Sequence, residues 1–283
     1  MITPIVKGQA LLDDINAAAP AVGEACIWWL GQSGYAIKTA SELLYIDLYL
    51  SEHLTKKYTD TEKPHIRMTE APLRGADISN ASWVFASHKH SDHLDPETLP
   101  DLFAASPHAR LVMPFTLVDH VVGLGIPRER LIPTRGNETL TAGRAIVYSL
   151  PSAHPKHEYT RKNGYPFLGY VIQVDGLTIY HSGDTLAYKG LASHLRKFKP
   201  DILFLPINGT DARRDALKVP PNMNAVEAVK LAQRVGSGLV IPHHYDMFTF
   251  NTASWKIFDA LAENAGIPHK ILQPGERFTF RKQ

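Results

Sequence analysis

The sequence predicts an α/β protein of the α+β type, with two mixed β-sheets packed together and helices outside. Three observations carry this. Short apolar runs come first and helical patterns are interspersed only later, so there is no strict βαβ alternation. Turn signals join neighbouring runs in both halves, at Gly31-Gln32-Ser33-Gly34 and at Asp175-Gly176. Several buried-type runs lead directly into histidine or aspartate at their C-terminal ends.

Taken in order, residues 1–23 read as a lead-in segment, an exposed-looking arm with a short helix near 11–18. Residues 24–283 read as a single domain. CIWWL (26–30) and YAIK (35–38) flank the first turn, and LLYIDLYL (43–50) makes a third strand. Residues 51–80 are polar, broken by Pro64, Pro72 and Gly75, and read as a long surface loop of the kind that carries function. WVFA (83–86) is a strand, and Asp95-Pro96-Glu97 opens a helix with an N-cap, a proline at the first position and an early acid. LVMP (111–114) is a strand, and FTLVDHVVGLG (115–125) a helix closed by glycine. AIVYSLP (145–151), GYVIQV (169–174) and LTIYHSG (177–183) are strands. SHLRKFK (193–199) is a short helix, and DILFLPI (201–207) and GLVIP (238–242) are buried strands. Between these two lies AVEAVKLAQRV (225–235), with Asn224 before it, Glu227 three residues on and Gly236 after it, a capping box with a glycine stop. WKIFDALAENAG (255–266) is the last helix and RFTF (277–280) the last strand.

Composition narrows the function classes. With 44% hydrophobic and 20% charged residues, a chain of 283 residues can bury a sizeable core. A formal charge of +2 gives no basic stripe for nucleic acid and none for an anionic membrane. Cys26 is the one cysteine, so neither an intrachain disulfide nor a multi-thiolate metal site can form, and a core role is expected for it. No run of about 18 apolar residues suggests a membrane span. The first twenty residues lack a basic start and are interrupted by Asp13 and Asp14, unlike a signal peptide. A cytoplasmic protein is the resulting expectation. The lead-in arm points to homo-oligomer formation.

Four separate strands deliver imidazole or carboxylate at their ends. WVFA leads to His88-Lys89-His90-Ser91-Asp92-His93, AIVYSLP to His154, LTIYHSG to Asp184, and GLVIP to His243-His244. Strand ends of this kind aim side chains into a shared crevice. Any one of these histidines alone reads as an ordinary surface or structural residue; the crowded motif between a strand and a capped helix does not. His88, His90, Asp92, His93, His154, Asp184 and His244 make seven candidates, too many for one ion with three or four protein ligands. They suit two ions sharing a bridge. His88 and His90 face one side of an extended chain, and Asp92 and His93, past the bend, face the other ion. Asp184 is the candidate bridge, since a carboxylate can bind two cations. His157 is an alternative to His154, and one of His243 and His244 is expected to be packed behind the other.

The H-x-H-x-D-H motif, a later histidine, H-S-G-D-T and a final histidine resemble the metallo-β-lactamase fold superfamily. WWLGQSG, YIDLYL, YHSGDT and VIPHHYDMF resemble its branch containing L-ascorbate-6-phosphate lactonase and related metal-dependent hydrolases. The resemblance runs from CIWWLGQSG to RFTF. It implies a four-layer αββα sandwich with a dinuclear centre at the sheet edges. It assigns His88, His90 and His154 to one ion, Asp92, His93 and His244 to the other, and Asp184 to the bridge. His244 is preferred over His243 by the I-P-x-H pattern. Asp47, at the end of an early strand, is implied as an outer partner that orients a ligand.

The expected chemistry is metal-assisted hydrolysis, with metal-bound hydroxide acting on a small-molecule lactone or ester, phosphorylated or not. Two divalent ions are expected, zinc first, with manganese and iron compatible. Asp92 is the candidate to orient the nucleophile and carry a proton. Lys89, Gln32, Asn208, Thr210, Arg161, Lys162, Arg213 and Arg214 are candidate substrate contacts, though most such side chains simply meet water. His181, His243 and Tyr188 are candidates to back the ligands or line the pocket. Three rival readings stand beside this one: phosphodiester or nuclease-type cleavage, thiol-ester or persulfide chemistry, and a non-catalytic metal-binding or sensory protein.

Overall fold

The computed structural model describes residues 1–283. In chain order the elements are α1 (Gln9–Ala17), β1 (Glu24–Gly31), β2 (Gly34–Lys38), β3 (Leu43–Ile46), α2 (His53–Lys57), β4 (Trp83–Phe85), α3 (Thr98–Ala105), β5 (Arg110–Pro114), α4 (Val118–Gly123), β6 (Leu131–Thr134) and β7 (Glu138–Ala142). They continue with β8 (Ala145–Pro151), β9 (Leu168–Val174), β10 (Leu177–His181), α5 (Leu191–Phe198), β11 (Ile202–Pro206), α6 (Ala212–Ala216), α7 (Ala225–Val235), β12 (Leu239–His243), α8 (Trp255–Asn264) and β13 (Arg277–Arg281). None of the helices is long and apolar enough to cross a membrane.

The strands form two mixed sheets, as expected, in the orders β13-β1-β2-β3-β4-β5-β6 and β12-β11-β10-β9-β8-β7. In each, one half is antiparallel and the other parallel. Alternation along β1 shows why two sheets and two helical layers result. Ala25, Ile27 and Trp29 enter the core shared with Val147, Tyr170 and Ile172 of the second sheet. Cys26, Trp28 and Leu30 enter another core, with Leu11 and Leu12 of α1, Leu102 of α3 and Val121 of α4. A strand buried on both faces has no polar side to show water, which is why CIWWL lacks polar residues. On the far side of the second sheet, α5, α7 and α8 complete the large core through Leu195, Val229 and Phe258.

Local chemistry accounts for the clearest matches. Asn224 and Glu227 form the capping box on α7, with bonds of 3.0 Å in both directions, and Gly236 ends it at φ 72°. The β9–β10 hairpin turns at Asp175 and Gly176, both at positive φ (47° and 80°), as a two-residue hairpin requires.

Several expectations needed correction. The third strand ends at Ile46, because Asp47 adopts φ 47° and its N–H bonds to Phe85 O instead. Residues 51–80 are not simply surface: they contain α2, and Arg67, Thr69, Leu73 and Ile78 are buried. Residues 115–125 start as a 3-10 turn, with α4 only from Val118. The α3 helix starts at Thr98 with Glu97 at its N-cap and no side-chain cap, so Asp95 and Pro96 precede it; the Asp95 carboxylate instead accepts Glu97 N–H and its carbonyl accepts Leu99 N–H. β6 and β7 carry too weak an apolar alternation to be read from sequence. The lead-in is no free arm: Leu11, Leu12 and Ile15 are buried, Trp28 Nε1 donates to Asp14, and Ile2 pairs with Thr69.

Candidate metal centre

The seven candidates converge where strand ends of both sheets meet. β4 stops at Phe85, and the following turn is tightened by His93 N–H and Leu94 N–H, both bonding to His90 O. β8, β10 and β12 stop at Pro151, His181 and His243, just before His154, Asp184 and His244. Gly183 makes the Asp184 turn possible. Its φ is 56°, and a Cβ there would lie 2.5 Å from Ser87 Cβ, so only glycine lets the turn press against the start of the motif.

The ligand atoms fall into two groups, each within 4.8 Å: His88, His90, His154 and Asp184, and Asp92, His93 and His244. Asp184 joins them. Its Oδ1 is 3.2 Å from His93 Nε2, and its Oδ2 is 3.4 Å from His244 Nε2 and 3.6 Å from His154 Nε2. Of the two alternatives left open, His154 is in the cluster; His157 is exposed and packs edge-on against Tyr188. His244, at φ 67°, turns into the cluster, while His243 remains in β12. There His243 stacks on His181 and pairs through Nδ1 with Ser33 Oγ.

Outer partners set the ring orientations. His93 Nδ1–H donates to Asp47 Oδ2 (2.7 Å), which also accepts from Ser87 Oγ (2.6 Å). His88 Nδ1 pairs with the same Ser87 hydroxyl at 2.9 Å. His154 Nδ1–H donates to Pro221 O (3.1 Å). Gln32 Nε2 donates to Asp92 Oδ2 (2.8 Å). Each of these contacts turns the opposite ring nitrogen or carboxylate face toward the cluster, where His88 Nε2 meets His90 Nδ1 at 2.9 Å. Gln32, Asp47 and His244 all have positive φ (51°, 47° and 67°), strain that the surrounding packing holds in place.

The two histidine sets differ electrostatically. Burial pushes His88, His90 and His154 down, His154 to about 4, so they are neutral donors. Burial would lower His93 and His244 too, but Asp184 and its neighbouring carboxylates outweigh it, raising His93 well above the usual range and His244 to about 9. Burial likewise opposes ionisation of Asp92 and Asp184, yet His93 and His244 hold both well below the usual carboxylate range.

The residues fit a divalent metal pair. The donors are nitrogen and oxygen only, in two groups about a shared carboxylate. His93 Nε2 and Asp184 Oδ1 are buried and 3.2 Å apart, yet neither makes a hydrogen bond. Two such atoms left without partners in the interior point to a third species between them.

The cluster forms the floor of a cavity of about 800 Å³ reached by His90, Asp92 and Asp184. Lys57, Lys63, Lys89 and Lys218 line it, and none has a carboxylate partner. Outside the ligands, Glu158 is the only acid in the wall. Tyr58, His65 and Phe167 supply aromatic surface. Of the sequence candidates, Lys89 faces the cavity. Asn208 does not: it bonds to Asn222 and Asn251. His181 lies behind His243, Tyr188 donates to Pro151 O, and Arg214 is buried beside Asp211. Lys57, Lys63 and Lys218 carry no signal in the sequence, because Lys57 ends a helix of only five residues and Lys63 and Lys218 lie in loops without periodicity. Ser87 was legible only as a neighbour of the motif.

A family model described as "Beta-lactamase superfamily domain" matches residues 26–244. A probable L-ascorbate-6-phosphate lactonase of Escherichia fergusonii is 24% identical over 309 residues, covering 96% of this chain and 86% of that protein. The isothiocyanate hydrolase from Delia radicum gut bacteria superposes with a TM-score of 0.72 at 18% identity, covering 91% of this chain and all of that one. Igni18, a metallo hydrolase from Ignicoccus hospitalis, gives 0.66 at 19% identity, covering 92% of this chain and all of that one.

Proposed function

Because the chain belongs to the β-lactamase superfamily, a family of metal-dependent hydrolases, we propose that it opens a small lactone or ester carrying an anionic group such as phosphate. The observation that carries this is the joining of two donor groups by Asp184 at the floor of a cavity rimmed by unpaired lysines. His88, His90 and His154 would hold one ion, Asp92, His93 and His244 the other, with Asp184 between them. Zinc is the first choice for these donors, and manganese and iron also suit them. Bound there, the pair supplies Lewis acidity and brings the pKa of water toward about 7.

The protein's own groups do the rest. Asp92 is held by Gln32 and faces the cavity, so it is placed to accept a proton from the attacking water and pass it to the leaving oxygen. Asp47 and Ser87 keep His93 and His88 aimed inward. Lys57, Lys63, Lys89 and Lys218 attract the substrate's anionic group, and Tyr58, His65 and Phe167 keep water from its apolar part. The Escherichia relative's name describes action on a phosphorylated lactone, which this rim would accommodate.

The test is a hydrolysis panel with the protein loaded separately with zinc, manganese and iron. It compares phosphorylated sugar lactones, their unphosphorylated forms and an aryl phosphodiester. Preferential opening of phosphorylated lactones supports the proposal. Diester cleavage without lactone opening favours the phosphodiesterase reading. Tight binding of one ion with no turnover favours a structural or sensory site and overturns the hydrolase reading.

A further inference from the structure

The segment from Asn208 to Asn224 connects β11 to α7 and passes the cluster at residues 218–221. Lys218, Val219 and Pro220 form part of the cavity wall. The next residue, Pro221, accepts the His154 Nδ1 hydrogen on its carbonyl. Among the five imidazoles, His154 alone is oriented by a main-chain carbonyl; His93, His88, His90 and His244 meet side chains of Asp47, Ser87, His88 and Gln32. Prolines 220 and 221 have no N–H, so the main-chain donors nearest the Pro221 carbonyl are Val219 N–H, which bonds to Arg214 O, and Met223 N–H, which bonds to Thr185 O.

A chain of side chains adds to these bonds. Asn222 Nδ2 donates to Asn208 Oδ1 (3.1 Å), and Asn208 Nδ2 donates to Asn251 Oδ1 (3.0 Å). The same Asn251 oxygen accepts from Arg214 Nη1 (2.9 Å), and Arg214 Nε donates to Asp211 Oδ2 (2.8 Å). Arg214, Asn208 and Asn222 are all buried, and none of the three lines the cavity. Burying an arginine and two amides is costly unless they are hydrogen-bonded, and these are, save for Asn222 Oδ1, which has no partner. Beside this chain, Met223 N–H bonds to Thr185 O, adjacent to Asp184.

We propose that Arg214, Asn251, Asn208 and Asn222 act as a positioning device for one metal site. They fix the Pro221 carbonyl, which holds His154 as the Nδ1–H tautomer with Nε2 toward Asp184. The device thereby tunes the His88, His90 and His154 site separately from the Asp92, His93 and His244 site. Arg214, Asn208 and Asn222 lie off the cavity and act through His154, while Asn251, which also meets the cavity, is the joint between Arg214 and Asn208. The proposal rests on the reading that both groups hold metal, and its first readout is independent of that reading.

The experiment uses the full chain with ¹⁵N-labelled histidine, with Asn222→Ala and Arg214→Gln as variants and circular dichroism as the check on folding. In the metal-free protein, long-range ¹H–¹⁵N spectra report the His154 tautomer. The wild type should show Nδ1–H alone, and both variants a mixture. Zinc titration of the same samples should show one of two equivalents weakened about 10–100-fold, the loss typical of an outer partner, and the other unchanged. Folded variants with an unaltered His154 tautomer overturn the proposal, as does equal weakening of both equivalents. If Asn222→Ala does not fold, Arg214→Gln decides by the same criteria. A wild type that binds no zinc refutes the metal reading, while the tautomer spectra still decide whether the chain positions His154.

Discussion

Asp184 and the adjacent histidines at the end of β12, His243 within it and His244 just past it, concentrate most of what can be tested residue by residue. Asp184 reaches His93, His154 and His244, and its Oδ1 has no hydrogen-bond partner. Asp184→Ala should lower metal content from two equivalents and reduce hydrolysis at least about a hundredfold, by analogy with the loss of supporting groups around metals. Two full equivalents by elemental analysis would refute its bridging role. His243 and His244 should separate into stability and activity. His244→Ala should lose activity and about one metal equivalent, with little change in the chelated protein's Tm above pH about 9, where its charge no longer contributes. His243→Ala removes a ring stacked on His181 and bonded to Ser33, so it should lower Tm more. The opposite order, by thermal melts and metal analysis together, would exchange their roles. The motif and Asp184 were legible because ligand chemistry restricts residue type at these positions. The choice of His154 over His157 was not, since both follow the same strand and only the packing of His157 on Tyr188 separates them.

Elements with local capping rules were read well, and those held by tertiary contacts were not. Helix α7 carries its start and stop signals in its own sequence. Asn224→Ala should cost about 1 kcal/mol, which for a chain of this size is about 2–4 °C in Tm. An unchanged melting temperature would mean that packing on the second sheet, not the cap, sets this boundary. The third strand was read four residues too long because YIDLYL is apolar enough to continue. Asp47 ends it by taking a left-handed conformation and binding Ser87 and His93 instead. Residues 51–80 were read as loop from their prolines and polarity. Their ordering comes from bonds to main-chain carbonyls: Arg67 donates to Ser51 O and Thr69 O within the segment, and Thr69 donates to Asp246 O, far along the chain. No local pattern encodes such bonds.

Across the whole molecule, protons and metal compete for the same floor. Without metal, His244 titrates near 9 against an ordinary 6.5. Its contribution to folding is therefore full below about 6.5 and is lost as pH rises through about 9. His154, lowered to about 4, contributes in the opposite sense: its share is full above 6.5 and is lost as pH falls toward 4. The chelated protein should thus lose stability on both sides of near-neutral pH. Metal should remove the alkaline loss by replacing the protons on His93 and His244. Calorimetric zinc titration at pH 7.5 in buffers of different ionisation enthalpy should report proton release on binding. Heat independent of buffer would mean that these imidazoles are already neutral.

By itself the sequence determined the mixed strand and helix order, the α7 caps, both hairpin turns and the residues able to bind metal. These depend on periodicity, backbone conformation and donor chemistry, all of which act over a few residues. Only the tertiary structure decided that Asp184 lies between the two ligand groups, that His244 rather than His243 faces inward, and that four unpaired lysines surround the opening. It also brought the Pro221 carbonyl to His154. These features join segments separated by tens to hundreds of residues. Their positions follow from how two sheets pack, because burial is set by the whole core and not by any one stretch of chain.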